Sequence, residues 1–311
     1  MEATDGLKNI AVIGAGMMGK MIAFVFSSKY QVGVYDVKKV DVIGYIRETA
    51  KDLVEKGLFD AYELERRLSH ISLADDISDR AISNADLLVE AVFEDMELKR
   101  KTFAQLEQIC RSDCIFCTNT SVMSPTEISR DLAHRERFAA AHFWNPAHLI
   151  PLVEVVMSDA TSAETAQVII DALTRVGKKP ILCKKDVPGF VANRLQHALW
   201  REAFFMVENG IADPETVDDA CKYGPGLRWP VLGPMENSDL AGIDLTYSIH
   251  DYILKSLADN HEPSKLLCEM LDNGELGMKS GKGWHEWTQE QIAETNSRLR
   301  DHLISFGYGN I

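Results

Sequence analysis

Lys8-Asn-Ile-Ala-Val-Ile13 runs directly into Gly14-Ala-Gly-Met-Met-Gly19 and on into Lys20-Met-Ile-Ala-Phe-Val-Phe26. The first run is short, apolar and β-branched, which is strand character, and the last is helix-like. A glycine turn between a strand and a helix is the context in which G-x-G-x-x-G becomes specific for a dinucleotide. Gly14 suits the tight turn, Gly16 lets backbone approach a pyrophosphate at the helix N-terminus, and Gly19 permits close packing of helix on strand. Gly14, Gly16, Met17, Met18 and Gly19 are therefore the expected pyrophosphate turn. The next apolar run, Gln31-Val-Gly-Val-Tyr35, ends in Asp36, where an acid suits the two ribose hydroxyls of the adenosine half. That carboxylate would repel a 2′-phosphate, so the expected cofactor is NAD rather than NADP. The plainer alternative is a glycine turn in a nucleotide-free α/β domain, and the strand, helix and acid together weigh against it.

Downstream, Val40 to Leu68 has helical periodicity, with Ile43, Ile46, Ala50, Leu53 and Val54 on one face and Gly57 as a break. Leu87-Leu-Val-Glu-Ala-Val92 reads as a strand with an acid, Glu90, that suggests a nearby polar cleft. A helix beginning around Glu94 carries Lys99, and Cys114-Ile-Phe-Cys-Thr-Asn-Thr-Ser121 is a further strand ending in polar residues. In open parallel sheets ligands bind beyond the carboxyl ends of strands, where Glu90, Ser121 and His142 are all expected. Ser121 could equally be a helix N-cap. Alternation of strand and helix stops after Pro180-Ile-Leu-Cys-Lys184. The expected division is a Rossmann-type α/β dinucleotide-binding domain over 1–184 followed by an all-α domain over 185–311 that supplies a substrate wall and a dimer interface.

The 311 residues suffice for two domains, and 46% hydrophobic with 26% charged is ordinary for a globular chain. A net charge of -14 argues against nucleic acid or an anionic membrane as partner. No apolar run approaches a membrane span and the first residues carry no signal segment, so a cytoplasmic location is expected. Cys110, Cys114 and Cys117 have the C-x3-C-x2-C spacing of a radical iron–sulfur site. Cys114 and Cys117, however, lie on one predicted strand at odd separation and should face opposite sides of the sheet. Reduced, buried thiols and no bound metal are the expectation.

His142-Phe-Trp-Asn-Pro-Ala-His-Leu-Ile-Pro-Leu-Val-Glu154 sets a titratable base and a carboxylate on either side of two prolines. Pro146 and Pro151 discourage a continuous helix, so the chain should leave one extended run, turn, and enter another at Leu152-Val-Glu-Val-Val156. Such a detour would bring Glu154 back to His142, fixing the tautomer of the ring and stabilising the imidazolium. By spacing alone, a satisfied structural histidine is an open alternative.

Across its whole length the sequence resembles the 3-hydroxyacyl-CoA dehydrogenase family. The match rests on Gly14-Ala-Gly-Met-Met-Gly19, Glu90-Ala-Val-Phe-Glu94, Thr118-Asn-Thr-Ser121, His142-Phe-Trp-Asn-Pro146 and Lys185-Asp-Val-Pro-Gly-Phe-Val-Ala-Asn-Arg-Leu195. The resemblance implies that His142 is the catalytic base, Glu154 its orienting partner, and Ser121 and Asn193 the groups that hydrogen-bond the reacting oxygen. It further implies cofactor contacts at Asp36, Glu94, Lys99, Asn145 and Lys279, and a homodimer acting on a small-molecule substrate.

Two departures bear on that substrate. Of the positions expected to contact a coenzyme A tail, only Thr49 and Lys56 fit, and Lys51-Asp-Leu-Val-Glu-Lys56 has interspersed acids. Conversely, Gly224-Pro-Gly-Leu-Arg-Trp229 looks like a segment of relatives that oxidise free hydroxy acids, such as gulonate and carnitine dehydrogenases. The pattern around His142, Asn145, Pro146 and His148 is similar to the relative acting on a hydroxypyridine carboxylate. Arg228 is accordingly a candidate for binding a substrate carboxylate, with a surface or domain-interface arginine as the alternative. A β-hydroxyacid dehydrogenase, which uses a catalytic lysine, is disfavoured by the His142 and Glu154 segment. A crystallin-like protein that binds the dinucleotide without turnover is the rival outside the enzymes.

Overall fold

The computed structural model describes residues 6–308. By Cα proximity the chain divides into two compact units, Met1–Val191 with Arg300–Ile311, and Ala192–Leu299.

The first unit is built on an eight-stranded sheet of order β3-β2-β1-β4-β5-β6-β7-β8. Its strands are β1 (Asn9–Ile13), β2 (Gln31–Tyr35), β3 (Ile71–Leu73), β4 (Leu87–Glu90), β5 (Ile115–Thr118), β6 (Phe138–Phe143), β7 (Leu152–Met157) and β8 (Lys179–Cys183). Every neighbouring pair is parallel except β6 with β7. The inner order 3-2-1-4-5-6 is that of a doubly wound dinucleotide fold, whose crevice opens where the order reverses between β1 and β4. The helices are α1 (Met17–Phe26), α2 (Val42–Glu55), α3 (Ala61–Ser69), α4 (Arg80–Ser83), α5 (Met96–Ile109), α6 (Pro125–Ser129) and α7 (Ala163–Arg175).

Alternation along the strands sends side chains to two cores. Val12, Val34, Val89 and Val155 face one side, where α1, α2 and α7 contribute Ile22, Ile46 and Ile169. Ile13, Leu88 and Phe116 face the other, with Phe103 and Leu106 of α5. Parallel strands covered on both faces read as continuous apolar runs, which is why the sequence exposes them clearly. Cys117 belongs to the first core and Cys114 to the second, so the three closely spaced cysteines do not converge on a common point. All six thiols are free, and among the described residues no group of His, Cys, Asp and Glu is arranged to hold a metal. No helix among them is long and apolar enough to cross a membrane.

The helical break at Gly57 is present, with φ +67°. The short β3 and α4 extend the expected pattern. β3 has three residues with only Ile71 buried, too brief to leave a periodic signature.

The second unit consists of α8 (Ala192–Glu208), α9 (Pro214–Tyr223), α10 (Pro234–Ala241), α11 (Ile243–Ile253), α12 (Lys265–Asp272) and the beginning of α13 (Gln289–Tyr308). Asp213 caps α9 by accepting from the Thr216 amide at 2.8 Å, with Pro214 at the first helical position. The end of α13 returns to the first unit. Ile304 joins its core, Arg300 pairs with Asp52 of α2 at 2.8 Å, and Asp301 pairs with Lys56.

Candidate active site

The nucleotide half of the site follows from β1, β2 and the turn between β1 and α1. Gly14 has φ +94°, and a Cβ there would lie 2.6 Å from the Ala91 carbonyl oxygen. A Cβ on Gly19 would sit 1.8 Å from the Gly14 oxygen, so helix and turn meet too closely for any side chain. Around Gly16, by contrast, the space is open. Gly16 caps α1 without a side-chain bond, and the first turn of α1 has no acid, an arrangement that suits an anion at this helix N-terminus. Met17 is exposed, Met18 half-buried. Asp36 is fixed at the end of β2: its carboxylate accepts from the Ala15 amide at 2.6 Å and from the Lys38 amide at 2.8 Å. A cavity of about 500 Å³ lies here, lined by Gly14, Gly16, Asp36, Val37, Phe93 and Leu98 among others. Apolar walls, an uncapped helix N-terminus and one anchored acid fit a dinucleotide.

Glu90 is not a cleft residue. It is fully buried, accepting from Lys99 Nζ at 2.8 Å, from the Thr118 hydroxyl at 2.6 Å and from the Val92 amide at 2.7 Å. Burial pushes its carboxyl above the ordinary range, against the pull of Lys99. The acid inside an apolar strand therefore marks an interior ion pair. Lys99, itself 1% exposed, also reaches Glu94 at 3.2 Å. Glu94 accepts from the Thr120 hydroxyl and, at 3.0 Å, from the Ser121 amide. Burial alone would raise Glu94, but the Thr120 hydroxyl and Lys99 outweigh it and hold the carboxyl below its usual value. This chain of contacts ties the β4 and β5 exits together and sets the backbone of Ser121, whose side chain is exposed.

His142 and Glu154 are direct partners across the antiparallel β6 and β7, so both project from the same face. His142 Nδ1 lies 2.9 Å from Glu154 Oε2. A carboxylate accepts, so Nδ1 carries the proton and the other ring nitrogen, Nε2, is the basic one. Both side chains are shielded: the Glu154 side chain is at 0% exposure and that of His142 at 7%. Glu154 also accepts from Trp144 Nε1 at 3.3 Å and from the Val191 amide at 3.0 Å. The imidazole lies between two rings, with Trp144 tilted and Phe190 edge-on, each 5.8 Å away. Phe190 takes φ +51°, a strained value for an aromatic residue, and its ring is almost wholly buried. Asn119, from the loop after β5, accepts from the Phe143 amide at 2.8 Å and braces the strand that carries His142.

The structure thus brings His142 together with Glu154, and Glu94 together with Lys99 and the Ser121 backbone. Asn145 is exposed in the connector after β6. Asn193 near the start of α8, Arg228 at the end of a short 3-10 turn after α9, and Lys279 in the loop before α13 belong to the second unit. Trp144, Asn119 and Phe190 had no assigned role in the sequence. Trp144 follows His142 by two positions and so shares its face, a signal that was available.

Comparison with known proteins identifies the family. Residues 9–187 match the family model described as 3-hydroxyacyl-CoA dehydrogenase, NAD binding domain, and residues 189–287 that of the same enzyme's C-terminal domain. The 5-formyl-3-hydroxy-2-methylpyridine 4-carboxylate 5-dehydrogenase of Mesorhizobium japonicum is 33% identical, over 96% of this chain and 97% of that protein. A probable 3-hydroxybutyryl-CoA dehydrogenase of Deinococcus radiodurans is 37% identical, over 89% of this chain and 99% of that protein. Among solved structures, an NAD+-dependent 5-formyl-3-hydroxy-2-methylpyridine 4-carboxylic acid 5-dehydrogenase superposes with a TM-score of 0.86 at 32% identity. It covers 96% of this chain and 97% of that one. With both halves matched and whole-length relatives above 30% identity, the chain belongs to the 3-hydroxyacyl-CoA dehydrogenase family, NAD-dependent oxidoreductases that act on a CH–OH group.

Proposed function

We propose that this protein oxidises the secondary alcohol of a 3-hydroxy acid or of its coenzyme A thioester, and reduces the matching ketone in reverse. The observation that carries the reading is the 2.9 Å contact of His142 Nδ1 with a fully buried carboxylate. With Nδ1–H committed to Glu154, Nε2 accepts the hydroxyl proton of the substrate, and Glu154 balances the positive charge that arises on the ring. When bound, NAD would supply the nicotinamide that accepts the hydride. Ser121 and Asn193 hold the substrate oxygen as it passes from hydroxyl to carbonyl, which is preorganisation at the atom where charge moves. The turn Gly14–Gly19, with Met17 and Met18, and Asp36 hold the dinucleotide, with Glu94, Asn145 and Lys279 as further contacts and Lys99 acting behind Glu94. Absorbance in the NADH band, followed with a panel of 3-hydroxyacyl-CoA thioesters and free hydroxy acids, tests this. Absence of NAD reduction with every member would end it.

A second reading, a free hydroxy carboxylate with no coenzyme A, is favoured by the whole-length likeness to the hydroxypyridine-carboxylate enzyme. In that reading Arg228 pairs with the carboxylate. Arg228→Ala would then raise KM for free acids selectively, whereas an equal effect on all substrates would remove the idea.

The second unit supports a homodimer. Helices α8, α9, α10 and α11 have no buried residue, and Leu195, Leu240, Ile243, Tyr247 and Tyr252 are all more than half exposed. An apolar surface of this extent needs cover, and a second copy of the chain is the partner always at hand. Light scattering on the purified protein distinguishes a dimer from a monomer.

A further inference from the structure

The connector Trp144–Pro151, which joins the strand of His142 to the strand of Glu154, is fastened from beneath by a buried lysine. Lys178 lies in the turn between α7 and β8 and is 6% exposed. Its ammonium donates to the Ala147 carbonyl and, at 2.8 Å, to the Ile150 carbonyl. Within the connector the Leu149 and Ile150 amides both donate to the Pro146 oxygen at 3.0 Å, and Ala147 and Leu149 are buried. The connector is therefore a tight turn, two of whose carbonyls, those of Ala147 and Ile150, end on one cation, while that of Pro151 accepts from the Lys179 amide at 2.9 Å.

No carboxylate forms an ion pair with Lys178 among the described residues. Burying an ammonium with only carbonyl partners is costly, and a turn that merely had to close could do so with water or a neutral donor. The expenditure is explained if the connector must hold a fixed shape. It begins at Trp144, which lies two residues after His142 and donates to Glu154.

We propose that Lys178 is a positioning residue for the reaction: by fixing the 144–151 connector it sets the orientation of the His142–Glu154 pair. Charged hydrogen bonds to two carbonyls of one turn determine that turn's placement more sharply than neutral ones do. Displacement of a catalytic group by about 1 Å costs on the order of 10²-fold in rate. The inference rests on the reading of His142 as the base.

The test is steady-state kinetics of Lys178→Met and Lys178→Gln beside wild type and His142→Gln, with the folded fraction of each followed by circular dichroism. Lys178→Met removes every donor and keeps an unbranched, slightly shorter side chain; Lys178→Gln keeps N–H donors without the charge. The expected result for Lys178→Met is a kcat lowered by about 10-fold or more, with KM for NAD+ within about twofold of wild type. The nucleotide cavity is built by other elements, β1, β2, β4 and α5. Lys178→Gln should recover part of the lost kcat. A kcat within about twofold of wild type for Lys178→Met, or losses in both variants that only follow the folded fraction, would overturn the proposal. If Lys178→Met does not fold, Lys178→Gln carries the test: a kcat below wild type by more than its folded fraction explains is the expected result, and a kcat that only follows the folded fraction overturns the proposal. If wild type is active and His142→Gln is not, while the Lys178 variants stay active, only this inference falls. Wild type without turnover on any substrate removes both readings.

Discussion

His142 and Glu154 face each other as a cross-strand pair, Nδ1 to Oε2 at 2.9 Å, on the single antiparallel joint of the sheet. A parallel pairing there would need a long crossover between the two residues. Antiparallel pairing lets a short connector return the chain so that base and carboxylate emerge side by side. The same carboxylate accepts from Trp144 and from the Val191 amide, so its position is fixed independently of the ring it orients.

Glu154→Gln should therefore preserve the packing and damage the chemistry. An amide can donate as well as accept, so it no longer enforces the Nδ1–H tautomer and offers no charge to the imidazolium. A fall in kcat of about 10²–10⁴-fold is expected, with KM for NAD+ little changed. Steady-state kinetics decides it, and a loss under about fivefold would count against an orienting carboxylate.

Lys99 and Glu90 offer a test of interior electrostatics apart from catalysis. Both are buried, and Lys99 Nζ is 2.8 Å from Glu90. Lys99→Met leaves the Glu90 carboxyl without its counter-ion, and a destabilisation of about 3–5 kcal/mol is expected in denaturant unfolding. Glu90→Gln combined with Lys99→Met should recover a substantial part of it, because no uncompensated charge remains at the fully buried Glu90, and Glu94, the other partner of Lys99, is partly exposed. A double variant as unstable as the single one would show that shape rather than charge governs this site.

His148, in the connector, gives the protein an acid limb. Burial, and after it the charge of Lys178, pulls its imidazole down from 6.5 to about 4. Between these values the unfolded chain binds the proton and the folded chain does not. Its contribution is thus fully present above pH 6.5 and is lost as pH falls through the window toward 4, by up to ~3 kcal/mol. Lys178, held near 8 by burial, stays protonated in both states across that window and adds no slope there. His148→Leu should flatten the fall in stability between pH 6.5 and 4, read from denaturation midpoints at several pH values. An unchanged slope would assign the acid limb to other groups.

Much of this was legible in the sequence because it is local. The glycine turn and Asp36 announce themselves by fixed spacing, and the β-branched runs around them are buried strands. The capped start of α9 is written in Asp213-Pro-Glu. The His142–Glu154 contact was legible for a related reason, since two prolines leave little freedom to the chain between them. What the sequence concealed depends on distant partners. Glu90 looked like a cleft residue because an acid in an apolar strand is anomalous, and only the fold supplies Lys99, Thr118 and the Val92 amide to satisfy it. Lys178 looked like any lysine after a glycine, and its burial is visible only once α7 and β8 are brought beneath the connector.

The most direct measurement is kcat for His142→Gln with the best substrate of the panel, together with NADH binding by fluorescence titration on the same preparation. If Nε2 of His142 takes the proton, kcat falls by about 10²–10⁴-fold while the dissociation constant for NADH stays within about twofold. Turnover near that of wild type, with the cofactor bound normally, would contradict the assignment of His142 as the base.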